Sequence, residues 1–286
     1  MTARRGFTLA ETLTALVLFG VVASVLMNVL LGHQRLFRSQ VQHVMVNESA
    51  RAGLAVLLAE LRQLSAAERD IIAADASSIT YESMQAFYVQ CAPPDTGALA
   101  AVLDDGSFSG LRGIEAIDDS ILLFAEGDPA TRQDDAWLVA AVRSVTRGAA
   151  CPGGAASLTV GLDGITATQL GAVQAGAPAR AFRPSRLLTY RDAGGAWWLG
   201  SREFHESSGT WTTTQPIVGP LSATGLTLTF VDDTGNPTAV LQRVVAIRIT
   251  IEGQSPKRVP RSGGNAPVFV SEDLITQMTL RNNPWY

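Results

Sequence analysis

No proline occurs before Pro93, and between Phe7 and that point the only glycines are Gly20, Gly32 and Gly53. The two residues that most readily interrupt a helix are thus nearly missing from the N-terminal third. Histidine is equally scarce, with His33, His43 and His205 the whole set. No H-E-x-x-H metal motif or Cys/His cluster can be drawn from them, and no G-x-S-x-G elbow accompanies His205. A hydrolytic triad would have to be built on His205 alone, beside Glu203 and Glu206, where a histidine is ordinarily a surface residue. No enzyme, metal site or cofactor is therefore expected. The two cysteines, Cys91 and Cys151, form no C-x-x-C pair, which removes the usual zinc patterns. Lysine is almost absent, Lys257 being the only one, and with abundant Ala and Gly this reads as genome composition. A net charge of -4 gives no basic field, so nucleic acid is not expected as a partner.

What the chain does have is unevenly placed. Its 286 residues suffice for one large domain or two small ones. A dense apolar block lies near the N-terminus, and positions 12–32 carry no charged side chain. About twenty such residues in a helix span the roughly 30 Å hydrocarbon core of a bilayer. Arg4 and Arg5 precede the block, and positive flanks stay cytoplasmic, which predicts an N-terminus inside and the bulk of the chain outside. A secretory signal would have a shorter apolar region ending in a small-residue cleavage site. Here the block runs on into Arg51, Leu54, Leu57, Leu58, Leu61 and Leu64 at three-four spacing, with Glu48, Glu60 and Arg62 on other faces. The pattern predicts one helix over 7–65, its first half a membrane span and its second half an amphipathic stem.

Glu11 is not explained by a plain anchor. A carboxylate at the edge of an apolar span costs free energy, although the helix N-terminus offsets part of it. Taken alone, it is either a first-turn acid complementing the helix dipole or a residue kept for a partner. Its surroundings bear on the choice. The string Arg5-Gly6-Phe7-Thr8-Leu9-Ala10-Glu11, followed by an uninterrupted apolar helix, closely resembles the class III signal of type IV prepilins and type II secretion pseudopilins. The resemblance implies that a prepilin peptidase cuts between Gly6 and Phe7 and methylates the new amine of Phe7. It also implies that Glu11, fifth in the mature chain, pairs with the N-terminal amine of a neighbouring subunit. Gly20 falls where family members commonly carry a small residue. Many major pilins place a proline where this chain has Asn28, and its absence points to a minor subunit.

Beyond the stem, 66–77 reads as an alanine-rich, acidic connection. Strand-like pieces follow at 78–81, 86–90, 120–126, 136–142, 157–160, 186–191, 196–200, 226–231, 243–252 and 275–280, separated by turn residues. In the best of them Val245, Ile247, Ile249 and Ile251 share one face, with Arg248 and Thr250 on the other. A turn cluster at 232–237 joins it to 226–231 as a hairpin with a wide loop. Patches at 91–97, 148–155 and 254–267 read as exposed loops. The expected fold class is α+β, with the stem helix packed on a mainly antiparallel β-sheet head. The pairs Asp104-Asp105, Asp118-Asp119, Asp134-Asp135 and Asp232-Asp233 match no EF-hand spacing and read as solvated turns, not calcium ligands. Trp197-Trp198 and Trp285-Tyr286 read as core packing. If the head is exported, Cys91 and Cys151 are suited to a disulfide closing a loop of about sixty residues, worth roughly 4 kcal/mol of chain entropy. Otherwise they are two thiols, one buried and one in a loop.

The order of pieces in the head also resembles a known group. It comprises Ser78-Ile79-Thr80-Tyr81 with a cysteine soon after, Gly219-Pro220-Leu221, Gly225-Leu226-Thr227-Leu228 and a closing Leu280-Arg281-Asn282. These are similar to strings in the large minor subunits, the J-type pseudopilins and PilW-like minor pilins. The resemblance implies a leader over 1–6, a filament-core half-helix over 7–32, a stem over 33–65 and a periplasmic head over 66–286. The chain would sit in the inner membrane and then in a filament, with prepilin peptidase and other pilin or pseudopilin subunits as partners. Its role would be to initiate or cap a type IV pilus or type II secretion pseudopilus. Two other readings are a signal-anchored binding protein that captures DNA or a secreted substrate, and an anchored hydrolase.

Overall fold

The computed structural model describes residues 9–66, 68–127, 130, 135–259 and 266–281. One helix, α1 (Leu9–Leu61), opens the chain, about 80 Å long at 1.5 Å per residue. Along its first half the described residues are exposed, and burial begins at Val46 and continues through Ala50, Gly53, Leu57 and Leu61. That stripe is centred on small residues, not on the leucines alone. Arg51, counted on the apolar face from the sequence, is exposed.

Ala50 and Gly53 explain the shift, because the helix approaches the sheet too closely for large side chains there. A Cβ on Gly53 would fall 2.5 Å from Ile251 Cδ1, and one on Gly253 would fall 2.8 Å from the Val46 carbonyl oxygen. The closeness lets Leu57, Leu61 and Leu64 bury fully, at roughly 2 kcal/mol each.

Thirteen strands among the remaining described residues form one sheet, with a single helical turn at Ala167–Leu170 and three 3₁₀ turns in its connections. In chain order these are β1 (Ile71–Asp75), β2 (Ser78–Val89), β3 (Ala100–Asp104), β4 (Ser109–Gly110), β5 (Ser120–Ala125), β6 (Ala136–Gly148), β7 (Ser157–Asp163), β8 (Pro178–Arg191), β9 (Trp197–His205), β10 (Thr210–Trp211), β11 (Gln215–Val231), β12 (Ala246–Gln254) and β13 (Ser271–Thr279). Every pairing among the described strands is antiparallel, so the α+β class expected from the sequence is what the chain forms. The β11–β12 hairpin has Leu226 opposite Ile251 and Phe230 opposite Ile247, with Ile247, Ile249 and Ile251 fully buried. The connection read at 66–77 contains β1, and β3, β4 and β10 lie outside the strand-like pieces of the sequence.

The sheet forks at β8. One edge of β8 carries β2 from Pro178 to Leu188. The opposite edge carries β5 over Ala179–Phe182 and β9 over Ser185–Arg191, leaving Arg183 and Pro184 between them. One branch runs through β9, β11, β12 and β13 and packs on α1; the other runs through β5, β6, β7 and β3. Each branch has its own apolar core. Strand β2 feeds both, with Ile79 and Tyr81 in the stem core and Ala86 and Tyr88 in the distal one. A register shift between Met84 and Ala86 changes the parity so that all four point the same way.

Candidate assembly site

The exposed half of α1 is apolar along its length. Leu9, Leu16, Phe19 and Leu26 are 81%, 67%, 72% and 62% exposed. No other described helix is long and apolar enough to cross a membrane. Its hydroxyls are turned inward on the backbone: Thr12 Oγ1 donates to the Leu9 carbonyl at 2.9 Å, Thr14 to that of Ala10 at 3.0 Å, and Ser24 to that of Val21 at 2.8 Å. Such back-bonding leaves fewer polar groups facing outward, as a hydrocarbon environment requires. Glu11 stands in the first turn of α1 and is exposed. Gly6 and Phe7 lie outside the described residues, as do Arg4, Arg5, Asp134, Asn282, Trp285 and Tyr286.

Where the stem meets the head, polar contacts fix the helix along its axis. His43 Nδ1 lies 3.1 Å from Glu272 Oε1 on β13, and Asn47 Nδ2 donates to Glu272 Oε2. The Tyr81 hydroxyl donates to Glu60 Oε2 at 3.0 Å. Burial, followed by the Glu60 charge, pushes that phenol well above its usual range. Past the helix, the Arg281 N–H donates to the Leu64 carbonyl at 3.0 Å, tying the end of β13 to the end of the stem.

In the distal branch Cys91 and Cys151 are joined by a disulfide, with Cα atoms 5.4 Å apart. It links the segment after β2 to the β6–β7 connection. Trp197 packs at the margin of the stem core, and Trp198 Nε1 donates to Asp192 Oδ2 at 2.9 Å. Asp232 behaves as a turn residue, its Oδ1 accepting from the N–H groups of Thr234 and Asn236. Asp104 caps the short 3₁₀ turn Asp105–Ser107.

Asp118-Asp119 departs from the solvated-turn expectation. Asp119 is 1% exposed and receives both Arg112 and Arg183. Arg183 is the largest fully buried side chain and also reaches Glu115 Oε2 at 2.7 Å and Glu203 Oε2 at 3.3 Å. Asp118 instead accepts from His205 Nδ1 at 2.8 Å and from the Ser207 N–H. Burial raises the Asp118 pKa, but the bonds from His205 and Ser207 outweigh it and hold the carboxyl well below its usual range. His205 is thus a half-buried, paired residue. The hydroxyl of nearby Ser208 is engaged with the His205 carbonyl and with Thr210. No cluster of three or more His, Cys, Asp or Glu suited to a metal occurs among the described residues.

A small cavity of about 60 Å³ lies beside the stem–head connection, lined by Gln63, Asp70, Glu82, Arg180, Phe182 and Arg281 among others. Burial, then the charges of Asp70 and Glu206, raise Glu82 to about 7.

Residues 1–27 match a family model described as the prokaryotic N-terminal methylation motif. No curated protein and no solved structure matches the chain. The matched motif supports a type IV pilin-like or pseudopilin precursor, and the apolar half of α1 fits a single-pass membrane anchor.

Proposed function

We propose that this chain is a minor pilin or pseudopilin that helps initiate or cap a type IV pilus or type II secretion pseudopilus. Prepilin peptidase removes 1–6 and methylates Phe7. Segment 7–32 passes from the inner membrane into the filament core, 33–65 is the stem, and 66–286 is the periplasmic head. The chain acts as a structural subunit, not as an enzyme.

The observation that carries this reading is the division of α1. Under the methylation motif lies a helix whose last turns are locked into the head while its first half, from Leu9 to beyond Leu36, is exposed. A helix that only anchored a soluble head would not need a carboxylate at Glu11. A helix that packs against copies of itself gains a specific pairing there, with the methylated amine of a neighbour.

Co-expression with a prepilin peptidase, followed by mass spectrometry of the product, tests the assignment. The expected product lacks Met1–Gly6 and carries one methyl group on Phe7. An intact N-terminus would sink the proposal and leave a signal-anchored protein. As a second arm, Glu11→Ala is expected to be processed normally and to enter filaments poorly. Unchanged assembly would return Glu11 to the role of a first-turn acid.

A further inference from the structure

Arg186 on β8 and Arg202 on β9 are direct cross-strand partners. Like charges placed opposite one another in a sheet are destabilising. Arg186 has partial relief, because its Nη2 donates to Ser78 Oγ at 2.8 Å and lies 3.7 Å from Asp75 Oδ2. No carboxylate among the described residues forms an ion pair with Arg202. Its guanidinium sits 5.0 Å from the centre of the Trp211 ring. The Nε atoms of both arginines are buried without an acceptor among the described residues. Burial, and then the Arg186 charge, lower the pKa of Arg202.

The pair faces away from the stem. Leu187 and Leu199, which alternate with these positions, belong to the core beneath α1, so Arg186 and Arg202 point from the side that the helix does not cover. Beside them Gly200 leaves no room for a side chain, since a Cβ there would come within 2.7 Å of the Tyr190 ring.

We propose that this arginine pair is a docking point for an acidic, carboxylate-bearing segment of a partner protein. Trp211 lies against the Arg202 guanidinium, whose terminal N–H groups donate to no described residue and can hold a bidentate carboxylate. A bound carboxylate removes the repulsion between the two arginines, so the strain in the free protein is released on binding. Charge complementarity favours a short acidic segment over a nucleic acid. The patch is two adjacent arginines on a chain of net charge -4, enough to hold a carboxylate but too small to neutralise the row of phosphates that a nucleic acid presents. The inference is independent of the filament reading.

The test uses the full chain in detergent micelles with three fluorescent probes: a hexaglutamate peptide, its hexaglutamine counterpart and an oligothymidylate. Anisotropy should show binding of the hexaglutamate alone. That binding should weaken at least ~10-fold in R202Q and in R186Q, and fall as salt is raised to about 0.5 M. Arg202→Lys should recover only part of the loss, because it restores charge without the fork. Thermal melting of both glutamine variants without peptide should match or exceed the parent, since the like-charge contact is gone. If one variant melts early, the other decides. Equal binding of the two peptides, or hexaglutamate binding unaffected by both variants, overturns the proposal. Tighter binding of the oligothymidylate overturns it in favour of a nucleic-acid surface.

Discussion

Arg183 Nε donates to Asp119 Oδ1 at 2.9 Å across the one interruption in the forked edge of β8. Strand β5 ends its pairing at Phe182 and β9 begins at Ser185, so the guanidinium fills the notch where the two branches part. A charge with 2% exposure persists there only because its donors are matched, by Asp119, Glu115, Glu203 and the Asp118 carbonyl. Arg112 grips the same Asp119 from the other side, at 2.7 and 2.8 Å. The two apolar cores are thus joined by a polar rivet.

Removing the centre of that rivet is expected to cost far more than removing its rim. Asp119→Ala strands two guanidinium groups, one fully buried, and should lower stability by about 3–5 kcal/mol. Glu203 is 42% exposed and 3.3 Å from Arg183, so Glu203→Gln should cost no more than about 1 kcal/mol. Thermal melting of the two variants in one detergent compares them directly. Equal losses would mean that Asp119 is a surface acid and the notch is held by apolar packing alone.

Glu82 gives stability a pH dependence whose sign follows from its raised value. Below about pH 4.5 the carboxyl is protonated in folded and unfolded chains alike. Between about 4.5 and 7 the folded state keeps a proton that the unfolded state releases, so stability falls as pH rises through that window. The loss is complete above about 7 and is on the order of 3 kcal/mol. Glu82→Gln should therefore match the parent near pH 4 and melt at a higher temperature near about pH 8. Asp118 works in a separate window, because a depressed carboxyl loses its contribution as pH falls through the acidic range. A parent and variant that differ by the same amount at both pH values would detach the effect from ionisation.

Neither the rivet nor the cavity was legible in the sequence, while the hairpin and the helix were, and the reason is physical. Ile247, Ile249 and Ile251 face a continuous apolar core, so burial writes a period of two into the residue types. In β8 the run Arg180, Ala181, Phe182, Arg183, Pro184 has a charge on both faces and a proline inside it, which argues against a central strand. That proline stands in the interruption between β5 and β9, and Arg183 beside it is buried by partners that lie 64 and 68 residues away. Local pattern carries no trace of such pairings. Asp119 looked like a turn acid because it follows another aspartate in a turn; what distinguishes it is the arginine pair that closes on it. The bond before Phe7 is the reverse case. It is read wholly from the residue string, and the described residues begin just after it, at Leu9.

The approach of α1 to the sheet depends on two glycines that should respond unequally to the same added methyl group. On Gly253 the new Cβ meets the Val46 carbonyl oxygen at 2.8 Å, a backbone atom held in the helix. Relief requires moving the helix away from β12, which gives up contact for Ala50 and Leu57, so Gly253→Ala should cost about 1–3 kcal/mol. On Gly53 the new Cβ meets Ile251 Cδ1 at 2.5 Å, the end of a side chain that can turn aside, and Val218 Cγ1 at 2.7 Å, a branch close to the backbone that cannot. Alanine also improves helix propensity by about 1 kcal/mol over glycine, which offsets part of the crowding and should leave Gly53→Ala about 1–2 kcal/mol less stable than the parent. Gly20 has nothing within 4 Å, so Gly20→Ala reports propensity without contact and serves as the reference. Melting temperatures of the three variants should rank Gly253→Ala lowest, Gly53→Ala between and Gly20→Ala highest. If Gly53→Ala proved the most damaging, the tight fit would reside in the side chains of Ile251 and Val218, not in the backbone of Val46.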